Sequence, residues 1–320
     1  MNTQTKRPNL LLEISFYSKF GKLIVKKIKS HFISLLMECK IEYQTRKFRR
    51  EIITTSHLQS FPQSHVEIIS VTSHQDLPAY ILAIRSLLHF TNRQFAITLV
   101  DDGTLTEIDC NEILHIVKGI KLIRYPKLFQ LIVDIFGEKN IYVQNFNNPY
   151  VRKKIASILC TTHDKILFLD SDILFFKKPT QILNWMDNKQ DAIYIQDFQN
   201  AYIFSAVESK NIFNIYPLPK VNSGLIGISK SMLNQKLLTK VLTHAMPLTK
   251  FRPPHLQVYF ALIFAENVNV KITPLPHSYV VSDHILQYQN KNNICKHYVY
   301  PVRQFYLNDA YNLVKHLNSR

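Results

Sequence analysis

Glycine is scarce in this chain, with six residues in 320. No G-x-G-x-x-G or G-x-x-x-x-G-K-[ST] run is present, which excludes glycine-rich phosphate loops of the Rossmann and P-loop kinds. The four cysteines (Cys39, Cys110, Cys160, Cys295) are widely scattered and form no C-x-x-C pair. Neither a zinc site nor a disulfide framework follows from them, which fits a reducing compartment. No apolar run reaches the roughly 18–20 residues that a membrane span needs. Near the N-terminus NLLLEISFYSKF is broken by charge and has no small-residue cleavage site, so a signal peptide is not read there and a cytosolic protein is the expectation. Acidic residues are also few, 23 against 39 Lys and Arg, giving a net charge of +16 and a pI near 9.6. Such an excess draws the chain to something anionic: nucleic acid, anionic lipid or a phosphorylated small molecule.

What is present is a chain rich enough in apolar residues (46%) to build a large core. Its positive charge is uneven. Residues 1–51 hold twelve Lys or Arg against four Glu, half of the net charge in about a sixth of the length. Here Ile24, Ile28, Phe32 and Leu35 recur at helical spacing beside a stripe of Lys19, Lys22, Lys26 and Lys29. The pattern predicts a basic amphipathic helix. It either lies on an anionic membrane surface, at the inner face of the membrane, or packs on the protein with its lysines in water. The expected division is a helical extension over 1–60 and a larger domain over 61–320.

From His65 the pattern alternates. VEIISV (66–71), FAITLV (95–100), KLIRYP (121–126) and KILFLD (165–170) read as strands. Between them, helical patterns cover about Leu77–Phe90, Leu105–Val117 and Tyr150–Cys160, and DAIYI (191–195) and GLIGIS (224–229) add two more strands. Alternation of this kind predicts an α/β fold, a mostly parallel sheet flanked by helices, with ligands bound beyond the carboxyl ends of the strands. Polar residues stand at three such ends: Thr72–Asp76, Asp101–Thr104 and Asp170–Asp172.

The third end carries the chemistry. In KILFLDSDILFFKKP (165–179) two carboxylates interrupt an otherwise apolar run. Residues i and i+2 of an extended segment project to one side, so Asp170 and Asp172 can aim at one point. Two unpaired carboxylates that close repel each other, and a divalent cation with oxygen ligands, Mg²⁺ or Mn²⁺, relieves the repulsion while leaving positions for substrate phosphates. Arg152, Lys153 and Lys154 precede this strand, and one of them could face the same cleft; the others read as a solvated helix face.

The segment Tyr150–Pro179 resembles the DxD region of GT-A-fold glycosyltransferases, a Rossmann-like mixed α/β fold. VNSGLIG (221–227) is similar to the NSG stretch these enzymes carry after the DxD strand. VEIISVTSHQD resembles their opening strand and nucleotide-binding turn, and LVDDGT their acidic strand-end turn. Order and spacing hold over about 65–300. The resemblance implies transfer of a sugar from a nucleotide-diphosphate donor to a glycan, lipid-linked or protein acceptor with Mn²⁺ or Mg²⁺, and no nucleic-acid partner. It implies that Asp172 ligates the metal, while Asp170 contacts the ribose and reaches the metal through water. Asp101 or Asp102 would bind the nucleoside, with Thr72, Ser73, Lys154 and Ser171 as further donor contacts. Asn222, Ser223 and Gly224 would frame the sugar and the acceptor side. The metal would neutralise the diphosphate leaving group. In KHYVYPVRQFY (296–306), His297 is either a further metal ligand, where several members place one, or a satisfied structural histidine. Arg303 pairs with the diphosphate or sits in a surface ion pair.

The chain departs from the pattern where these enzymes show an acidic residue with Gln. PPHLQVYFALIF offers His255 and Gln257 but no carboxylate. An inverting enzyme needs a general base. Asp197, after DAIYI, is a candidate for it or a turn residue. Other readings are a non-catalytic nucleotide-sugar binding protein and a metal-dependent nucleotidyltransferase, although TSHQDLPAY lacks the glycine of the latter's phosphate loop. A metal-dependent nuclease would need further clustered carboxylates, and no zinc finger, RNP-like or helix-turn-helix pattern supports nucleic-acid binding.

Overall fold

The computed structural model describes residues 46–54, 57–146, 157, 161, 163–188, 192–248, 257–299 and 302–319. The expected amphipathic helix around 24–35, most of the expected helix over Tyr150–Cys160, and Lys154 lie outside these residues. The chain divides into two compact units, Met1–Glu51 and Ile52–Arg320. Residues 46–54 are helical, and the rest of the described chain belongs to the second unit.

That unit is built on strands β1 (Leu58–Gln59), β2 (Val66–Thr72), β3 (Ala96–Asp101), β4 (Val117–Lys118), β5 (Lys121–Ile123), β6 (Lys165–Leu169), β7 (Ile173–Phe175), β8 (Ala192–Gln196), β9 (Val221–Ser229), β10 (Ile272–Pro274), β11 (Tyr279–Val280) and β12 (Cys295–His297). Seven of them form one mixed sheet in the order β10-β8-β9-β6-β2-β3-β5. The β-branched runs in β2 and β3 are buried almost end to end, as strands covered on both faces must be. Each apolar side chain sealed there contributes about 1.5–3 kcal/mol. The helices Leu77–Thr91, Glu107–Ile116 and Tyr125–Phe136 follow these strands.

The pairs β10–β8, β6–β2, β2–β3 and β3–β5 are parallel, while β9 runs antiparallel to both β6 and β8. This one reversal has a functional consequence. The carboxyl ends of β2, β3, β6 and β8 share an edge of the sheet, and the reversed β9 begins at that same edge with Val221 and Asn222. Its register against β8 shifts between Tyr194 and Ile195, an irregularity of the kind that re-aims side chains beside functional sites.

KILFLDSDILFF is not one strand. β6 ends at Leu169 and belongs to the large sheet, while β7 begins at Ile173 and pairs in a three-stranded sheet of order β11-β12-β7. The three residues between them turn the chain from one sheet to the other. This corrects the reading of Asp170 and Asp172 as neighbours on an extended segment. They still alternate in direction with Ser171, which is buried while they stay partly open.

Candidate active site

The turn at 170–172 is fastened from three sides. The Asp170 N–H donates to the Gly224 carbonyl at 2.8 Å, tying it to β9. The Ser171 hydroxyl lies 3.0 Å from Thr72 Oγ1, tying it to the end of β2. The Tyr298 N–H donates to the Asp172 carbonyl at 3.0 Å, just beyond the antiparallel register that sets His297 opposite Ile173. Three segments far apart in sequence therefore meet at one turn.

His297 reaches the carboxylates through that pairing. Its Nε2 lies 3.2 Å from Asp172 Oδ1 and 3.7 Å from Asp170 Oδ2, and one ligand atom from each of the three residues falls within a 4.8 Å group. Two anionic oxygens and an imidazole form a donor set suited to a divalent cation of borderline hardness, better for Mn²⁺ than for the all-oxygen preference of Mg²⁺. The imidazole is buried, and Gly224 makes room for it: a Cβ at that position would stand 2.3 Å from His297 Cε1. Burial, with smaller effects from Asp172 and Asp197, raises the Tyr288 phenol above its ordinary range. It stays protonated and donates to the His297 carbonyl at 2.5 Å. Tyr288 is a positioning residue that no sequence pattern marked.

Asn222 bridges the start of β9. Its Nδ2 donates to Asp197 Oδ2 at 2.7 Å, and its Oδ1 accepts the Gly224 N–H at 2.8 Å. Asp197 is buried and also accepts the Gln199 N–H at 3.4 Å. It lines a cavity of about 450 Å³ together with Lys220, His277, Tyr279 and Gln287. Ser223, half-buried, sits between Asn222 and Gly224.

The two remaining strand ends divide their labour. Asp101 is buried, and its carboxylate builds the turn: Oδ1 accepts from the N–H groups of Gly103 (2.7 Å) and Leu105 (3.2 Å), while Oδ2 faces Arg124 Nε at 3.3 Å. Asp102 is the more open of the pair, with Oδ1 accepting from the Thr104 N–H and hydroxyl. Ser73 donates its hydroxyl to Asp76 Oδ2 at 3.0 Å, and Arg303 Nη2 contacts Asp76 Oδ1. Arg303 keeps more than half of its side chain in solvent, so this ion pair joins the turn after β2 to the segment after β12 without sealing the guanidinium away. Asp76 closes the polar strand end Thr72–Asp76 and precedes the Leu77–Thr91 helix, where its side chain makes no capping hydrogen bond.

No protein-family model matches the sequence, and no curated protein matches it. Solved structures do. Mouse xyloside xylosyltransferase 1 in its apo form is 14% identical with a TM-score of 0.47, covering 75% of this chain and 97% of its own. The galactosyltransferase LgtC, in complex with donor and acceptor sugar analogs, is 13% identical with a TM-score of 0.48, covering 78% and 95%. The mannosyltransferase Ktr4p from S. cerevisiae is 11% identical with a TM-score of 0.42, covering 71% and 75%.

Proposed function

We propose that the chain is a metal-dependent glycosyltransferase of the GT-A kind, moving a sugar from a nucleotide-diphosphate sugar to a glycan, lipid-linked or protein acceptor. The observation that carries this reading is the meeting of Asp170, Asp172 and His297 at the sheet edge where β2, β3, β8 and the reversed β9 also present polar ends. Asp172 and His297 would hold Mn²⁺ or Mg²⁺ directly, with Asp170 as the second carboxylate. Bound there, the cation supplies counter-charge to the diphosphate leaving group. Thr72, Ser73, Ser171 and Asp102, on the turns after β2, β6 and β3, would contact the nucleotide. Lys154 remains a proposed donor contact from sequence.

Arg303 would bind the diphosphate. Its guanidinium would exchange or share Asp76 for phosphate oxygens, which it matches in a two-pronged geometry. On the other side of the metal group Asn222, held by Asp197, fixes the sugar and keeps the Gly224 backbone against His297. Asp197 also meets the neighbouring cavity, where it can accept a hydrogen bond from an acceptor hydroxyl. These residues bind, orient and exclude water, the means by which transfer between bound partners gains most of its rate.

The test is a donor screen: metal-dependent hydrolysis of UDP- and GDP-sugars, followed by mass spectrometry. Release of sugar from at least one donor, lost on chelation with EDTA, is the expected result. Absence of both binding and hydrolysis across the set would overturn the reading. The basic segment ahead of Ile52 completes the proposal as the contact with an anionic membrane surface. Vesicles containing phosphatidylglycerol should float the full chain but not a variant lacking residues 1–55; equal flotation of the two removes that role.

A further inference from the structure

A further cavity, of about 330 Å³, is lined by Phe305, Asn308 and Asp309 at the start of helix Tyr306–Asn318 and by Gln289, Lys291 and Lys296. It shares Asn290 and Asn293 with the cavity at Asp197, so the turn between those two residues is a wall common to both. The turn is firmly tied. The Asn293 N–H donates to the Asn290 carbonyl at 3.2 Å, the Asn292 N–H to Asn290 Oδ1 at 2.9 Å, and Asn293 Nδ2 to the Gln287 carbonyl at 2.7 Å. Tyr288, whose hydroxyl grips the His297 carbonyl, lines this cavity as well.

The lining fixes the chemistry of what fits. Asp309 Oδ2 accepts from Lys296 Nζ at 2.8 Å and from the Tyr298 hydroxyl, which hold the carboxylate in place. Among the described residues Asp309 Oδ1 takes no donor, and the side chain is 23% exposed. A carboxylate only accepts, so a ligand there must bring O–H or N–H groups. Lys296 is buried, with its ammonium 4.6 Å from the centre of the Phe176 ring, and the exposed Lys291 adds a second positive charge. The two cations disfavour a cationic ligand, the carboxylate disfavours an anionic one, and together they disfavour an acyl chain. The exposed amides of Gln289 and Asn308 both donate and accept, as hydroxyl groups do. Phe305 adds a ring 37% exposed, an apolar face for the C–H side of a sugar. A neutral pyranose, hydroxylated at its rim and apolar on its face, meets all of these demands.

We propose that this cavity is a saccharide subsite, and that the acceptor is a glycan long enough to reach from Asp197 across the Asn290–Asn293 turn to Phe305. Its reacting end lies in the cavity at Asp197, and a more distant ring stacks on Phe305. The hydroxyls of that ring donate to Asp309 Oδ1 and bond with Asn308 and Gln289. The rigid turn between the cavities sets the spacing, so a single sugar fills one cavity and only an oligosaccharide fills both. The inference rests on the glycosyltransferase reading and selects the glycan among its three acceptor classes.

Probing a microarray of microbial and mammalian glycans with the full chain, then titrating each hit calorimetrically, tests it. The expected result is at least one bound oligosaccharide that loses about tenfold or more in affinity when trimmed to its non-reducing terminal monosaccharide, since the lost rings take their stacking and hydrogen bonds with them. Phe305→Ala should cost the untrimmed glycan about tenfold. Asn308→Ala, at an exposed helix position, should cost it about three- to tenfold with the melting temperature held. Neither substitution should change binding of the trimmed sugar. Absence of any bound glycan, or affinity that both variants keep, overturns the inference and leaves the glycosyltransferase reading to its donor screen. Glycan binding that both variants weaken, with no donor hydrolysed, would take down that reading and keep the cavity as a saccharide site.

Discussion

Asp172→Asn should lower metal-dependent turnover of a nucleotide sugar at least about a thousandfold while leaving the fold intact. The substitution keeps the volume of the side chain, and the Asp172 carbonyl still receives the Tyr298 N–H. What it removes is the carboxylate nearest His297 Nε2, 3.2 Å away. Asp170 then stands as the only anion of the group. The carboxylate acts on the anionic leaving group only through the cation it helps to hold, so the cost is that of the cation's lost occupancy: Lewis-acid assistance is worth several kcal/mol, and each 1.36 kcal/mol is about tenfold. Steady-state rates, Mn²⁺ binding followed by electron paramagnetic resonance and thermal melts measure the three parts separately. A variant that turns over within about tenfold of the wild type, with unchanged Mn²⁺ binding, would end the case for this site.

The parts legible in sequence were those set by local pattern. The apolar runs at 66–71, 95–100 and 165–169 became strands of the large sheet because burial on both faces imposes a nearly continuous apolar run. Asp170 and Asp172 stood out because charge inside such a run needs a reason. Other features are written in pairings between distant segments. Nothing in VNSGLIGIS announces that β9 runs antiparallel, yet only that reversal brings Asn222 and Gly224 to the ligand edge. Strand pairing across more than a hundred residues sets His297 beside Ile173, and KHYVYP alone left a metal ligand and a structural histidine equally open. Asp101 and Asp102 read alike as DDG, and burial separates them: Asp101 is buried with Arg124 beside its Oδ2, while Asp102 stays partly open.

Gly224→Ala should weaken Mn²⁺ binding about a hundredfold, although the residue offers the metal no ligand. An added Cβ would lie 2.3 Å from His297 Cε1, 2.7 Å from its Nδ1 and 3.0 Å from Asn222 Oδ1. Non-bonded carbons rest about 3.5–4.0 Å apart, so the imidazole must retreat by more than about 1 Å. It cannot retreat freely. Its backbone is held in register with Ile173, and the Tyr288 hydroxyl grips its carbonyl. Displacing a ligand or its support by such an amount costs about 10–100-fold in metal affinity or rate. Gly227→Ala is the matched control on the same strand. There the Cβ would meet Ile193 Cγ1 and Trp185 Cε2, both at 2.7 Å, deep in the core and away from the metal group. Overpacking of this kind costs about 1–3 kcal/mol, so both variants should melt earlier than the wild type. Only Gly224→Ala should also lose Mn²⁺, as read by electron paramagnetic resonance below the melting range. Equal Mn²⁺ affinity in the two variants would show that the glycine serves packing alone, and that His297 does not need its present position to hold the ion.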